Sequence, residues 1–163
     1  MKSLIVIMGV SGVGKTTVGR ALATGKGWPF IEGDDHHPAA NIQKMKSGIP
    51  LDDADRLPWV ASILDYVTTL EDDVAVLACS ALTPVVQEAL RSTRARRVIY
   101  CCLVADAPTL SRRMQTRSHF MPPALLTSQF DALSPPDDAL KFDAHQAVET
   151  LVGEIETALE GRY

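Results

Sequence analysis

The segment GVSGVGKT, residues 9–16, has the spacing G-x-x-x-x-G-K-T of a phosphate-binding loop. Its glycines let backbone N–H groups converge on phosphate oxygens, Lys15 adds a positive charge near the β- and γ-phosphates, and Thr16 offers a hydroxyl to Mg²⁺. A glycine-rich turn that binds nothing is the alternative, but a buried-strand pattern precedes the loop and a helix pattern follows it, which favours a nucleoside triphosphate site. The residues assigned to the nucleotide are Gly9, Ser11, Gly12, Val13, Gly14, Lys15, Thr16 and Thr17.

A second polar segment, FIEGDD at residues 30–35, ends the next predicted strand. An acid here can accept the proton of an acceptor hydroxyl or bind Mg²⁺ through water, and both roles suit phosphoryl transfer. We expect Asp34 to be the base and Glu32 to lie in the outer shell of the metal. The alternative is that these acids cap a helix starting at Pro38, for which Asp35 is suited.

The neighbouring pair His36 and His37 raises the question of a zinc site. Adjacent side chains diverge, and neither cysteine nor a third histidine follows at ligand spacing, so zinc is not favoured. We expect His37 to face the substrate and His36 to face solvent, with a plain polar loop as the alternative for both.

One isolated arginine and one pair of arginines could bind anions. Arg56 follows the acidic run DDAD, 52–55, which lacks the glycine and closing glutamate of a calcium loop. Arg56 therefore forms either a surface ion pair or a clamp for a substrate carboxylate. Arg113 and Arg117 lie four residues apart on one predicted helical face, where they could close over ATP or form a solvated helix end.

Short apolar runs alternate with amphipathic helical segments along the chain. This alternation predicts βαβ units and a parallel sheet covered on both faces, an α/β fold. The predicted strands are 4–8, 74–79 and 98–104, with weaker candidates at 29–31 and 140–142. The predicted helices are 16–23, 38–46, 57–70, 83–90, 108–117, 123–133 and 147–159.

Composition narrows the function classes. The chain has 163 residues, which suits one domain over 1–163, and a formal net charge of -4, which argues against a general nucleic-acid or membrane binder. Its 3 cysteines lie in apolar runs without CxxC spacing and indicate core thiols in a reducing compartment. No segment approaches the roughly 20 apolar residues of a membrane helix, so we expect a cytoplasmic protein.

The chain resembles the small gluconokinases of the phosphate-binding-loop type. The resemblance rests on GVSGVGKTT (9–17), GDDHHPAANIQKMKSGIPLDDADR (33–56) with PW at 58–59, CSAL (79–82) and HFMPPALLTSQFDAL (119–133). It implies a three-layer kinase fold like that of the nucleoside monophosphate kinases, with a five-stranded parallel sheet and a mobile lid near 113–125. It also implies phosphorylation of D-gluconate to 6-phospho-D-gluconate with ATP and Mg²⁺, and homodimers in many members.

The resemblance also implies roles for individual positions. Lys15, Asp34 and Arg117 would be catalytic, with Arg117 near the transferring phosphate and Arg113 near the adenine. The sugar acid would be surrounded by Asp34, His37, Asn41, Lys44 and Arg56, with Arg56 facing the carboxylate. His119 and Gln129 would lie on the substrate side of the lid and its following helix.

This chain departs from the family pattern at two places. Residues 83–87 read TPVVQ where a basic pair, a tyrosine and an arginine are usual, and only Ser118 separates Arg117 from His119. Shikimate kinase, adenylylsulfate kinase and a nucleotide-binding module without transfer activity remain the alternatives.

Overall fold

The computed structural model describes residues 1–116 and 125–163. Within them, five strands form one parallel sheet in the order β2-β3-β1-β4-β5. The strands are β1 (Lys2–Met8), β2 (Phe30–Glu32), β3 (Val74–Ala78), β4 (Arg96–Val104) and β5 (Leu140–Asp143). The predicted α/β fold with a five-stranded parallel sheet is confirmed.

Helices cover both faces of this sheet. They are α1 (Lys15–Lys26), α2 (Ala39–Lys46), α3 (Asp53–Thr69), α4 (Pro84–Arg91), α5 (Ala107–Gln115), α6 (Leu126–Ala132) and α7 (Val148–Leu159). A short 3-10 helix, Gly33–His36, follows β2 directly. The predicted start of α6 at 123 lies outside the described residues.

The central strand β1 is buried on both faces because its side chains alternate between two cores. Ile5 and Ile7 pack in the cluster formed with α1 and α7, whereas Leu4 and Val6 pack in the cluster formed with α3 and α4. Each such side chain contributes about 1.5–3 kcal/mol through its burial. The result is a three-layer architecture.

Helix α3 begins four residues before the predicted start at residue 57. Asp52 accepts a hydrogen bond from the backbone N–H of Asp55, and the Asp55 carboxylate accepts one from the N–H of Asp52. This reciprocal capping box stabilises the first turn. Pro58 then lies inside the helix, where it has no backbone N–H to donate and its ring crowds the carbonyl four residues earlier.

The candidate site lies at the carboxyl edge of the sheet, where the loops after β1, β2 and β3 meet. Gly33, the first residue after β2, packs against the end of β3. A Cβ atom at Gly33 would lie 2.5 Å from the carbonyl oxygen of Ala78. Only glycine lets the acidic segment after β2 approach the sheet this closely.

Candidate active site

The phosphate-binding loop connects β1 to α1 and is turned by glycines. Gly12 and Gly14 have φ of +81° and +105°, a region that favours glycine. The Lys15 Nζ donates a hydrogen bond to the Val10 carbonyl oxygen at 3.0 Å. Burial lowers the pKa of Lys15, and the nearby Asp34 carboxylate opposes this shift.

Thr16 in the first turn of α1 and Glu32 at the end of β2 contact each other. The Thr16 hydroxyl donates a hydrogen bond to Glu32 Oε2. Burial raises the pKa of the Glu32 carboxyl, and the Thr16 hydrogen bond opposes that rise. A hydroxyl and a carboxylate that lie in contact are hard oxygen donors of the kind that Mg²⁺ prefers, so these two residues fit that ion.

The 3-10 helix after β2 holds Asp34 at the edge of the cavity. The Asp34 N–H donates to Glu32 Oε1 at 3.4 Å, and the Trp59 Nε1 donates to the Gly33 carbonyl oxygen at 2.7 Å. The alternative in which Asp35 caps α2 is wrong, because the N-cap residue of α2 is Pro38 and that helix has no side-chain cap.

His37 is packed between α2 and α3. Its ring stacks on Trp59 with centroids 4.2 Å apart, and its side chain is 5% exposed. Asn41 Nδ2 donates to Nδ1 at 3.3 Å, which leaves the proton of a neutral ring on Nε2, 3.9 Å from Asp34 Oδ1. Burial lowers the pKa of His37 to about 4; Asp34 opposes the shift and Arg56 adds to it.

His36 points elsewhere, towards α3. Its Nδ1 lies 3.4 Å from the Ser62 Oγ, and its ring lies 5.5 Å from that of Tyr66. The two adjacent histidines therefore contact different residues. His36 was expected to face solvent, but its ring packs on α3.

Arg56 projects from the first turn of α3 into the same region as His37. Its Nη1 donates to Asp53 Oδ1 at 3.3 Å, and its side chain is 15% exposed. Both interpretations of Arg56 thus have a structural counterpart. It pairs with Asp53, and it also lines the cavity described next.

A cavity of about 230 Å³ joins the phosphate-binding loop to these side chains. The expected site residues that line it are Ser11, Gly12, Gly14, Lys15, Thr16, Thr17, Asp34, His37, Arg56 and Gln129. Gln129 reaches it from α6, where its Oε1 accepts a hydrogen bond from the Ser11 N–H at 2.6 Å. The structure thus brings the nucleotide loop and four of the expected acceptor residues, Asp34, His37, Arg56 and Gln129, to one cavity.

Asn41 and Lys44 are not among the residues that line this cavity. Asn41 is 3% exposed, and its Nδ2 donates to the Asp55 carbonyl oxygen at 2.9 Å. Lys44 Nζ donates to both carboxylate oxygens of Asp55 at 2.8 Å. Both residues support the first turn of α3.

Arg113 lies in α5 and contacts the phosphate-binding loop. Its guanidinium donates to the Val13 carbonyl oxygen at 3.4 Å and to the Ala144 carbonyl oxygen at 2.8 Å. It therefore bridges that loop and the segment after β5. Arg117 and His119 lie outside the described residues, as does most of the expected lid.

Trp59 was not assigned a role from the sequence. It is 1% exposed, stacks on His37 and holds the Gly33 carbonyl. The sequence spacing could have predicted that Trp59 lies near the site. It follows Arg56 by three residues and so lies on the same face of α3.

Known gluconokinases are similar in sequence to this chain. No protein-family model matches the chain. The gluconokinase of Gluconobacter oxydans (strain 621H) is 46% identical over 140 residues, covering 82% of this chain and 76% of that protein. The thermosensitive gluconokinase of Escherichia coli (strain K12) is 39% identical over 161 residues, covering 94% of this chain and 86% of the other. The chain belongs to the gluconokinase family.

A solved gluconokinase structure extends this likeness to the fold. The gluconokinase from Sinorhizobium meliloti 1021 superposes with a TM-score of 0.86 at 39% identity, covering 97% of this chain and 91% of that one. The gluconokinase family thus accounts for both the sequence and the architecture. No helix in the described ranges 1–116 and 125–163 is long and apolar enough to cross a membrane.

Proposed function

We propose that this chain is a gluconokinase, which transfers the γ-phosphoryl group of ATP to the 6-hydroxyl of D-gluconate and yields 6-phospho-D-gluconate and ADP. The observation that carries the proposal is the shared cavity, in which Asp34, His37 and Arg56 face the phosphate-binding loop. Membership of the gluconokinase family supports the choice of acceptor.

Each of these side chains has a distinct task in this proposal. Arg56 binds the gluconate carboxylate through its planar fork of N–H donors. The neutral His37 donates its Nε2 proton to a hydroxyl of the sugar chain. Together they set the acceptor so that its 6-hydroxyl lies between Asp34 and the γ-phosphate.

The transfer step then follows from charge and position. The 6-oxygen attacks the γ-phosphorus while the bond to the bridging oxygen of ADP breaks, and Asp34 accepts the hydroxyl proton. Lys15 stabilises the charge on the phosphate oxygens, and backbone N–H groups of the loop bind the remaining ones. Arg117 is proposed to add positive charge at the transferring group, and His119 and Gln129 to contact the acceptor.

The divalent ion belongs to the same proposal. Thr16 and Glu32 would hold Mg²⁺, Thr16 through its hydroxyl and Glu32 through water. When bound, the ion neutralises charge on the β- and γ-phosphates. Arg113 is proposed to lie beside the adenine.

We further propose a single kinase domain over 1–163 whose lid spans about 113–125, a cytoplasmic location and a homodimer. The buried free thiols of Cys79, Cys101 and Cys102 support a reducing compartment.

A coupled assay of ADP release tests the acceptor. Gluconate, shikimate, adenylylsulfate and a panel of related sugar acids are offered with ATP and Mg²⁺, and the product mass is measured. Turnover with gluconate, giving a singly phosphorylated product, is expected. Turnover with shikimate or adenylylsulfate alone would replace the proposal, and ATP binding by calorimetry without any phosphorylated acid would indicate a non-catalytic module.

Asp34→Asn tests the base. The substitution keeps the shape of the side chain but removes proton acceptance, so kcat is expected to fall by about 10²–10⁴-fold. The affinity for ATP, measured by calorimetry, should change little. A kcat within a few-fold of the unsubstituted protein would remove Asp34 from this role.

A further inference from the structure

The carboxylate of Asp53 joins Arg56 to a residue on another element. Asp53 Oδ1 accepts a hydrogen bond from the Thr83 hydroxyl at 2.8 Å and from Arg56 Nη1 at 3.3 Å. Thr83 is the N-cap residue of α4 and follows the loop after β3. Two donors from two elements thus converge on a single oxygen beside the cavity.

We propose that Asp53 and Thr83 are positioning residues for acceptor recognition: they orient the Arg56 guanidinium so that its free edge meets the carboxylate of the acid substrate. This inference rests on the proposed function, in which Arg56 binds that carboxylate. Neither Asp53 nor Thr83 is among the residues that line the cavity. Both therefore act through Arg56.

The physical reason lies in the flexibility of arginine. An unrestrained arginine side chain has about 2 kcal/mol of rotamer entropy, which binding a carboxylate would have to overcome. Pairing Nη1 with Asp53 restricts the side chain and so lowers the entropy lost when the acid binds. Because the guanidinium group is planar, holding its Nη1 also fixes the direction in which its other N–H groups point.

Thr83 makes this orientation depend on the sheet edge as well as on α3. Asp53 and Arg56 are neighbours on the same helical turn, so their pairing alone would move with α3. The Thr83 hydroxyl ties Asp53 to the start of α4. That loop also carries Ser80 and Leu82, which line the cavity. Arg56 is thereby held relative to the wall of the site.

The opposite side of the same turn is fixed by α2. Lys44 Nζ contacts both oxygens of Asp55, and Asn41 donates to the Asp55 carbonyl. The first turn of α3 is thus held from α2 through Asp55 and from α4 through Asp53, while Arg56 between them faces the cavity. The family resemblance assigns Asn41 and Lys44 to the sugar acid. In the structure both residues hold the first turn of α3 through Asp55.

Three substitutions of Thr83 separate positioning from helix capping, because the hydroxyl also accepts the N–H of Val86 at 3.4 Å. Thr83→Ser keeps both the donor and the cap. Thr83→Val removes both. Thr83→Asp keeps a good N-cap but cannot donate to Asp53 and repels it.

The expected result is a change in the KM for the acid. Thr83→Val and Thr83→Asp should each raise the KM for gluconate by about 5–10-fold, since a hydrogen bond to a charged group is lost. The KM for ATP should stay the same, and Thr83→Ser should behave like the unsubstituted protein. In an Arg56→Ala background, Thr83→Val should have no further effect on the KM for gluconate.

An NMR measurement provides a readout that needs no substrate. The Arg56 Nε–Hε signal should be sharp in the unsubstituted protein and in Thr83→Ser, and broadened in Thr83→Val and Thr83→Asp. Unchanged KM and an unchanged signal in both of the latter would overturn the positioning role. A defect in Thr83→Val that Thr83→Asp restores would also overturn it, because capping alone would then explain the effect. Absence of gluconate turnover in the unsubstituted protein would refute the proposed function, while the NMR comparison would still decide the positioning role.

Discussion

Lowering the pH should destabilise this protein through His37. Burial lowers the pKa of this histidine from 6.5 to about 4. Its ring is stacked on Trp59 and only 5% of the side chain is exposed. Protonating it in the folded state would bury a positive charge and bring it near the Arg56 guanidinium, and Asp34 only partly opposes this cost.

The sign and size of the effect follow from linkage. Because the pKa in the folded state lies below that in the unfolded state, the unfolded chain binds the proton more readily. The stabilisation is fully present above a pH of about 6.5 and is lost as the pH falls towards about 4. At a pH of about 5.5 the unfolded histidine is mostly protonated and the folded one is neutral, so the free energy of unfolding should be lower by about 1 kcal/mol.

Urea unfolding at pH values of about 7.5 and 5.5 measures this loss. His37→Gln provides the control, because glutamine does not titrate, and other ionisable groups contribute equally to both proteins. The unsubstituted protein should lose about 1 kcal/mol more than the variant between the two pH values. Equal losses, or an NMR titration of the His37 ring with a midpoint near its ordinary value, would refute this explanation.

Two further predictions concern the loops around the cavity. Gly33→Ala should lower the free energy of unfolding by about 1–3 kcal/mol, because its Cβ would meet the Ala78 carbonyl; Gly153→Ala in α7 has open space and should raise it by about 0.5–1 kcal/mol. Both values come from urea unfolding, and a neutral Gly33→Ala would contradict the close approach. Gln129→Leu should speed hydrogen exchange of the Ser11 amide because its acceptor is lost, whereas Gln129→Glu should not. Equal exchange in both variants would show that this bond does not protect the amide.

Much of the fold could be predicted because the relevant signals are local. The runs at 4–8, 74–79 and 98–104 are apolar on both faces, as buried parallel strands require, and each matches an observed strand closely. The predicted start of α3 at residue 57 was wrong, because an amphipathic pattern does not mark the polar first turn of a helix. The acids at 52–55 in fact form a capping box, a pattern that the run of like charges obscured.

The residues that line the cavity were harder to predict than the strands, because the lining depends on contacts between segments that are distant in sequence. Lys44 was expected beside the substrate together with Asp34, His37, Asn41 and Arg56, yet the carboxylate of Asp55 holds Lys44 away from the cavity lining. Arg96 shows the same limit. It lies in the basic run RSTRARR, 91–97, which is typical of a solvated surface, yet it is 4% exposed and donates to the Ser3 and Leu70 carbonyl oxygens.

The position of β1 at the centre of the sheet has a consequence for folding. Its neighbours are far away in sequence, since Ser3 pairs with Val74 and Lys2 pairs with Arg96. The Gly9 N–H donates to the Ser80 carbonyl at 3.4 Å, so the start of the nucleotide loop also rests on a segment synthesised much later. Such distant pairings close slowly, and a growing chain that still lacks β3 and β4 has no frame for the loop. ATP should therefore bind only chains in which the sheet has already formed. Its binding should stabilise the folded state and have little effect on the early steps of folding.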